Sequence, residues 1–138
     1  MALDTTKVPS NITRIFTDFD VSFTPHPVTG DINMVTGTNS VVQSLMNLVQ
    51  LNSYEKPFHP EISSGIRSLL FEQMDSIVAA SLKKEIVILI ENFEPRVQII
   101  DVDVSPDYVN NQFNVTIEFY VLNNTLPITI SAYLQRVR

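Results

Sequence analysis

Phe113-Asn114-Val115-Thr116-Ile117-Glu118-Phe119-Tyr120-Val121 alternates apolar and polar side chains without a break. Successive side chains of a β-strand point to opposite faces, so this period of two describes a strand with one face on a core and the other toward water. The segments on either side carry the same signal. Val97 to Val104 reads as a strand, with Pro106-Asp107 beginning the turn after it. Asn123-Asn124 supplies the next turn, and Ile128, Ile130, Ala132 and Leu134 form a last strand. Three consecutive strands with short links favour an antiparallel meander whose apolar face is covered by helices.

Those helices lie upstream. Asp75 or Ser76 starts the longest, which runs to about Asn92 with Val78, Leu82, Ile86, Leu89 and Phe93 at helical spacing. Ile77, Val87, Ile88 and Ile90 widen that stripe, which predicts cover on more than one side. Pro95 ends the helix because it disfavours helical backbone at Glu94. A second helical face is expected over Ile62 to Met74, at Ile62, Ile66, Leu69, Leu70 and Met74. A third begins at a cap on Thr38, Asn39 or Ser40 and carries Val41, Val42, Leu45, Leu48 and Val49 to about Leu51-Asn52. Ser53 to Pro60 is loop. Ile15 to Phe23 reads as a short half-buried strand, and Thr29-Gly30-Asp31 as a turn, giving a hairpin over 19–35. Residues 1–17 are expected to be a flexible N-terminal extension, and 18–138 one domain. The fold class is α+β: helices packed on a three-stranded antiparallel C-terminal sheet, with a short N-terminal hairpin.

Composition narrows function. The 138 residues carry nine Lys+Arg against fifteen Asp+Glu, a net charge of −6. Neutralising phosphates needs a basic surface, so no nucleic-acid partner is expected. The absence of cysteine removes disulfides, thiolate metal sites and a cysteine nucleophile. Two histidines, His26 and His59, are too few for a histidine-only zinc site. No window approaches a membrane span and no signal-peptide core is present, so neither a membrane partner nor a metal or other cofactor is expected.

Candidate chemistry is sparse. Glu55, Glu61, Glu72, Glu91 and Glu94 could in principle supply the paired carboxylates of a glycosidase, yet nothing in their spacing brings two together. His26 and His59 sit between or beside prolines and read chiefly as loop residues whose imidazoles cap backbone groups. Gly30, Gly37 and Gly65 form no phosphate-binding pattern, and no nucleophile elbow is present. No catalytic residue is assigned. Glu94-Pro95-Arg96 is the most informative short segment, a rigid corner carrying opposite charges. It is either a local pair, worth about 0–1 kcal/mol if exposed, or a docking point whose Arg fork meets a partner's carboxylates or carbonyls. The C-terminal strand raises a parallel choice. Glu118 is the last acid, and a strand ending in Arg136-Val137-Arg138 is either a protected edge or one that accepts a partner strand.

Pro57-Phe58-His59-Pro60-Glu61, Gly65 with Leu70-Phe71-Glu72, and Asn92-Phe93-Glu94-Pro95-Arg96-Val97 resemble the small baseplate wedge protein of contractile-tailed phages. That family also includes a baseplate subunit of type VI secretion systems. The resemblance covers Asp18 to Arg138, and the stretch from Tyr54 to Pro60, with Pro25-His26-Pro27 and Thr29-Gly30-Asp31 before it, is most similar to T-even-like phages of marine cyanobacteria.

The resemblance implies a structural protein of the virion tail baseplate, assembled in the bacterial host cytoplasm and present in six copies. It implies that Glu94, Pro95 and Arg96 contact a helical core bundle built by larger wedge proteins. A second small wedge protein, the tail sheath subunit and the tail tube are the other implied partners. It further implies that the C-terminal β-region exchanges strands with the first sheath ring, which places Thr129, Ser131, Tyr133, Arg136 and Arg138 on the sheath-contacting edge. Members of the family have often been labelled tail lysozymes, so a peptidoglycan hydrolase is the alternative. On the structural reading, Arg96→Ala or Glu94→Ala is expected to leave the isolated fold largely intact while stopping wedge incorporation. Deleting Thr129 to Arg138 is expected to block sheath polymerisation.

Overall fold

A computed structural model describes residues 16–62, 64–122 and 124–136. The element order is β1 (Thr17–Phe19), β2 (Met34–Thr36), α1 (Thr38–Gln50), α2 (Ile66–Leu69), α3 (Ser76–Phe93), β3 (Val97–Asp107), β4 (Gln112–Val121) and β5 (Ile128–Gln135). Strands β3, β4 and β5 form the expected antiparallel meander in that spatial order, and β1 and β2 form the separate hairpin. The α+β class and the helix-then-meander order follow the sequence pattern.

The period-two signal of β4 sets the core. Phe113, Val115, Ile117, Phe119 and Val121 are all buried, while the polar residues between them lie on the other face. Against them pack Val78, Leu82, Ile86, Leu89 and Ile90 of α3 and Val41, Leu45 and Val49 of α1, in one continuous cluster. Helix α3 touches the sheet chiefly through β3 and also meets α1 and α2, so it is covered from two sides. Ile77 and Ile88 are exceptions to the expected wide cover, because both remain exposed. Asp75 caps α3 as predicted, its carboxylate accepting from Val78 N at 2.7 Å.

Four local expectations are corrected. The stretch Ile62 to Met74 is helical only over the single turn of α2. Ile66, Leu70 and Met74 are still buried, but Asp75 needs an extended backbone (φ −142°, ψ 177°) to cap α3, and the chain must leave helical geometry before it. The N-cap of α1 is Gly37, at φ 64°, and not Thr38, Asn39 or Ser40. That left-handed conformation is open to glycine without strain. Ser40 lies inside the first turn, its hydroxyl donating to Gly37 O at 2.7 Å. Third, Pro106 and Asp107 belong to β3, paired with Phe113 and Gln112. Proline is tolerated because β3 is an edge strand, where a donor can be missing without breaking the ladder. The turn follows instead at Tyr108–Asn111, with the Asp107 carboxylate accepting from Val109 N and Asn110 N. Fourth, the hairpin pairs Thr17 with Thr36, so it is set further out than 19–35 and β1 is shorter than Ile15 to Phe23. Phe16 packs against the core and Thr17 is paired, so both join the folded part. The rest of the expected extension lies outside the described residues, as do Ile15 and Asn123.

The register of β3 shifts between Ile99 and Asp101, leaving Ile100 as the extra residue of a bulge. Before the bulge Val97 and Ile99 face the core, and after it Val102 and Val104 do. Without the extra residue Asp101 and Asp103 would point inward.

Phe119→Ala is expected to lower the unfolding free energy by about 3–5 kcal/mol, through lost burial and a cavity under α3. Asp75→Ala is expected to cost only about 1 kcal/mol, the usual worth of an N-cap. Urea unfolding of the two variants measures both.

Candidate functional site

The corner after α3 is built by three residues. Ile90 O accepts from Glu94 N at 2.8 Å as the last helical bond, Pro95 turns the chain outward, and Val97 enters the sheet. Glu94 is nonetheless turned inward, its side chain 3% exposed, whereas Pro95 lies on the surface. Among the described residues Glu94 is the only buried carboxylate.

Both carboxylate oxygens are occupied. Arg96 Nε donates to Oε1 at 2.6 Å and Arg96 Nη2 to Oε2 at 2.8 Å, a bidentate pair. Ser44 of α1 also donates, Oγ to Oε2 at 2.6 Å. The guanidinium lies over the Phe16 ring, 5.3 Å from its centroid, a cation–π contact. Burial acts to raise the Glu94 pKa, but the hydrogen bonds from Arg96 and Ser44 and the Arg96 charge outweigh it and hold the carboxyl below its ordinary range. The same pairing raises the Arg96 guanidinium against its own partial desolvation.

This geometry decides between the two sequence readings of the corner only in part. The pair is internal, not an exposed local pair, so Glu94 is not free to meet a partner. Arg96 keeps Nη1 outside the bidentate pair and is partly exposed at 27%. Thus Glu94 positions, and Pro95 with the outer edge of Arg96 forms the surface. Ser44 and Phe16 are members of the corner that sequence reasoning missed. Ser44 is signalled only as a polar residue beside the apolar stripe of α1, and Phe16 carries no signal at all.

A groove of about 420 Å³ runs beside the corner, lined by Leu48, Leu51, Ile62 and Phe93 with Asp18 and Glu55 among its polar residues. Each of these two carboxylates accepts a local backbone N–H, Asp18 from Phe19 and Glu55 from Asn52. Glu61 pairs with His59 at 2.8 Å, while Glu72 and Glu91 lie exposed on the surface. His26 Nδ1 accepts from Val28 N and Thr29 N, the backbone-capping role foreseen for it. His59 bonds a carboxylate instead. Among the described residues no group of three His, Asp or Glu could hold a metal, and no helix is long and apolar enough to cross a membrane.

Thr129, Ser131 and Tyr133 are exposed together on one face of β5, while Ala132 and Leu134 are buried on the other. β5 pairs with β4 on one side, and no strand pairs with it on the other among the described residues. Arg136 reaches back, its Nε donating to Glu72 O at 3.0 Å. Arg138 lies outside the described residues.

The family described as baseplate wedge protein gp25 matches residues 35–136. The baseplate wedge protein gp25 of Enterobacteria phage T4 is 28% identical over 115 residues, covering 83% of this chain and 86% of that protein. Among solved structures, a chain of the six-fold symmetrised anti-feeding prophage baseplate superposes with a TM-score of 0.69 at 23% identity, covering 80% of this chain and 89% of its own. A Geobacter sulfurreducens protein provisionally described as a tail lysozyme gives the same TM-score at 16% identity, covering 77% and 98%. At these identities the two structures establish a shared fold and nothing further.

Because removing Arg96 orphans a buried carboxylate, Arg96→Ala is expected to cost about 3 kcal/mol at neutral pH. For Arg96→Ala this cost sets a lower stability against the expectation of a largely intact isolated fold, and urea unfolding decides between them. A carboxyl whose pKa is lowered on folding stabilises above its unfolded value, and that stability is lost as pH falls through the folded value. The penalty of Arg96→Ala should accordingly shrink on acidification, as Glu94 takes up a proton. Urea titrations of wild type and variant at neutral and acidic pH measure the difference.

Proposed function

The chain belongs to the baseplate wedge protein gp25 family, and on that premise we propose that it is a structural adaptor, docked by its Glu94–Arg96 corner on a helical bundle of larger wedge proteins. Baseplate wedge proteins of this family are structural components of the virion tail. The buried bidentate pair carries the docking proposal. It fixes Pro95 and the outer edge of Arg96 at a rigid corner, and a preorganised corner loses little entropy on binding. The adjoining groove, whose apolar floor of Leu48, Leu51, Ile62 and Phe93 is flanked by Asp18, Glu55 and Lys56, is a second surface for the same helical partner.

The adaptor's second task is to template the tail sheath through β5. The two edges of the sheet differ in a way that supports this choice. On β3, a bulge at Ile100, Pro106, and the charges of Asp101 and Asp103 all oppose strand addition. On β5, Thr129, Ser131, Tyr133 and Gln135 carry no charge, proline or bulge. Six copies, one per wedge, agree with the six-fold symmetry of the anti-feeding prophage baseplate. Contacts with a second small wedge protein and the tail tube belong to the same proposal. The hydrolase alternative gains nothing from the carboxylates. Among the described residues the one buried acid is neutralised by Arg96, and the exposed ones are bound locally or stand on the open surface.

Docking and folding must be separated in the test. Ser44→Ala/Glu94→Met/Arg96→Met removes the whole polar cluster, leaves no orphaned charge, and is expected to fold because apolar replacement of a buried pair is often neutral or stabilising. In co-expression with the larger wedge proteins, wild type should be captured and the folded triple variant should fall at least tenfold. Capture of the triple variant at wild-type level would remove the corner from the interface. For the sheath, deletion of Thr129 to Arg138 is unsuitable because it takes the buried Ala132 and Leu134 with it. Thr129→Lys/Ser131→Lys keeps the core and adds charge at the edge. Sheath nucleation on assembled baseplates is expected to slow severalfold, read by electron microscopy of tail lengths over time.

A further inference from the structure

A cavity of about 290 Å³ opens at the C-terminal half of β5, beside the edge that no strand pairs with among the described residues. Val49 and Leu51 at the end of α1, Ile66 and Leu70 of α2, and Leu134 of β5 give it apolar walls. Gln50, Asn52 and Arg67 stand around it, and Tyr133 and Gln135 border it along the strand on either side of Leu134. Leu134 is buried on the helix-facing side of the sheet, and because α1 and α2 supply the other apolar walls the cavity reaches from the strand's edge to that side. Directly paired residues of neighbouring strands point to the same face. A strand added to β5 would therefore direct the residue paired with Leu134 toward the helices and into the cavity. Its neighbours would point to the opposite face, beside Tyr133 and Gln135, both exposed there.

We infer that the free edge of β5 accepts an extended partner segment that seats one large aliphatic side chain, at the position paired with Leu134, in this cavity. The inference rests on the reading of β5 as the sheath-facing edge and adds to it the residue type that sets register. Main-chain bonds along an edge are indifferent to sequence, and a one-residue slip would turn the aliphatic group to the wrong face. The cavity thus converts a generic edge into one with a defined register. Arg67, whose Nη1 donates to Asn52 Oδ1 at 2.6 Å, leaves a positive rim that disfavours a basic residue beside the anchor. Phe71 and the Tyr54–Phe58 loop do not line the cavity, so their exposure is a separate matter.

The test fills the cavity from its rim without touching the core. Gln50 and Arg67 are exposed, so Gln50→Trp and Arg67→Trp both place a ring at the opening, and Gln50→Ala is the control. The purified full chain is titrated with the tail sheath subunit, and hydrogen exchange is followed across Ile128–Gln135 and Ile66–Leu70. Wild type is expected to bind with protection of both segments. Either folded Trp variant should bind at least tenfold more weakly, while Gln50→Ala stays within twofold. Trp variants that bind as wild type, with β5 protected, would overturn the cavity inference and leave the edge reading standing. A sheath subunit that leaves the β5 amides of wild type unprotected would overturn the edge reading, and the inference with it.

Discussion

The buried carboxylate of Glu94 constrains everything around it. An ionised group removed from water is stable only if its lone pairs and charge are met, and here Arg96 and Ser44 meet them. Those partners come from the β3 entry and from α1, so one side chain at the end of α3 ties two other elements together. Phe16, stacked on the guanidinium, also accepts from Gly37 N at 2.6 Å, which carries the tie onward to the N-cap of α1. The corner is thus rigid because the Glu94 carboxylate and two of the Arg96 nitrogens are already committed to one another. Buried ion pairs are a poor source of stability, and one retained at this position is better understood as a device for holding geometry.

The second organising feature is the inequality of the sheet's two edges. β3 is turned away from further pairing by a bulge, a proline and two carboxylates, and Lys83 of α3 further engages Asp101 at 3.1 Å. β5 carries none of these devices and has an apolar cavity alongside. An edge strand left open costs a risk of aggregation, which natural sheets avoid unless the edge has a use.

The meander, the long helix and its Asp75 cap were legible because each rests on local periodicity or a local capping bond. The corner itself was legible as a motif, and its rigidity followed from Pro95. Its burial was not, because nothing within Asn92–Val97 shows that Ser44, fifty residues earlier, closes over Glu94. The α2 segment misled for a related reason. Ile66, Leu70 and Met74 keep helical spacing and are buried, yet the extended backbone at Asp75 outweighs their helical preference. The β3 bulge did leave a trace, since the inward apolar positions change from odd (Val97, Ile99) to even (Val102, Val104), a change of parity that an uninterrupted strand cannot produce.

By itself the sequence determined the kinds of element and their order, because periods of two and 3.6 are properties of single strands and helices and need no knowledge of what lies opposite. It also determined the absence of thiol chemistry and the acidic balance, which are matters of inventory. Only the tertiary structure decided which charges are buried, which edge of the sheet is open and where the cavities lie. Those properties depend on surfaces contributed by segments far apart in the chain, and burial is a relation between segments that no single one of them encodes.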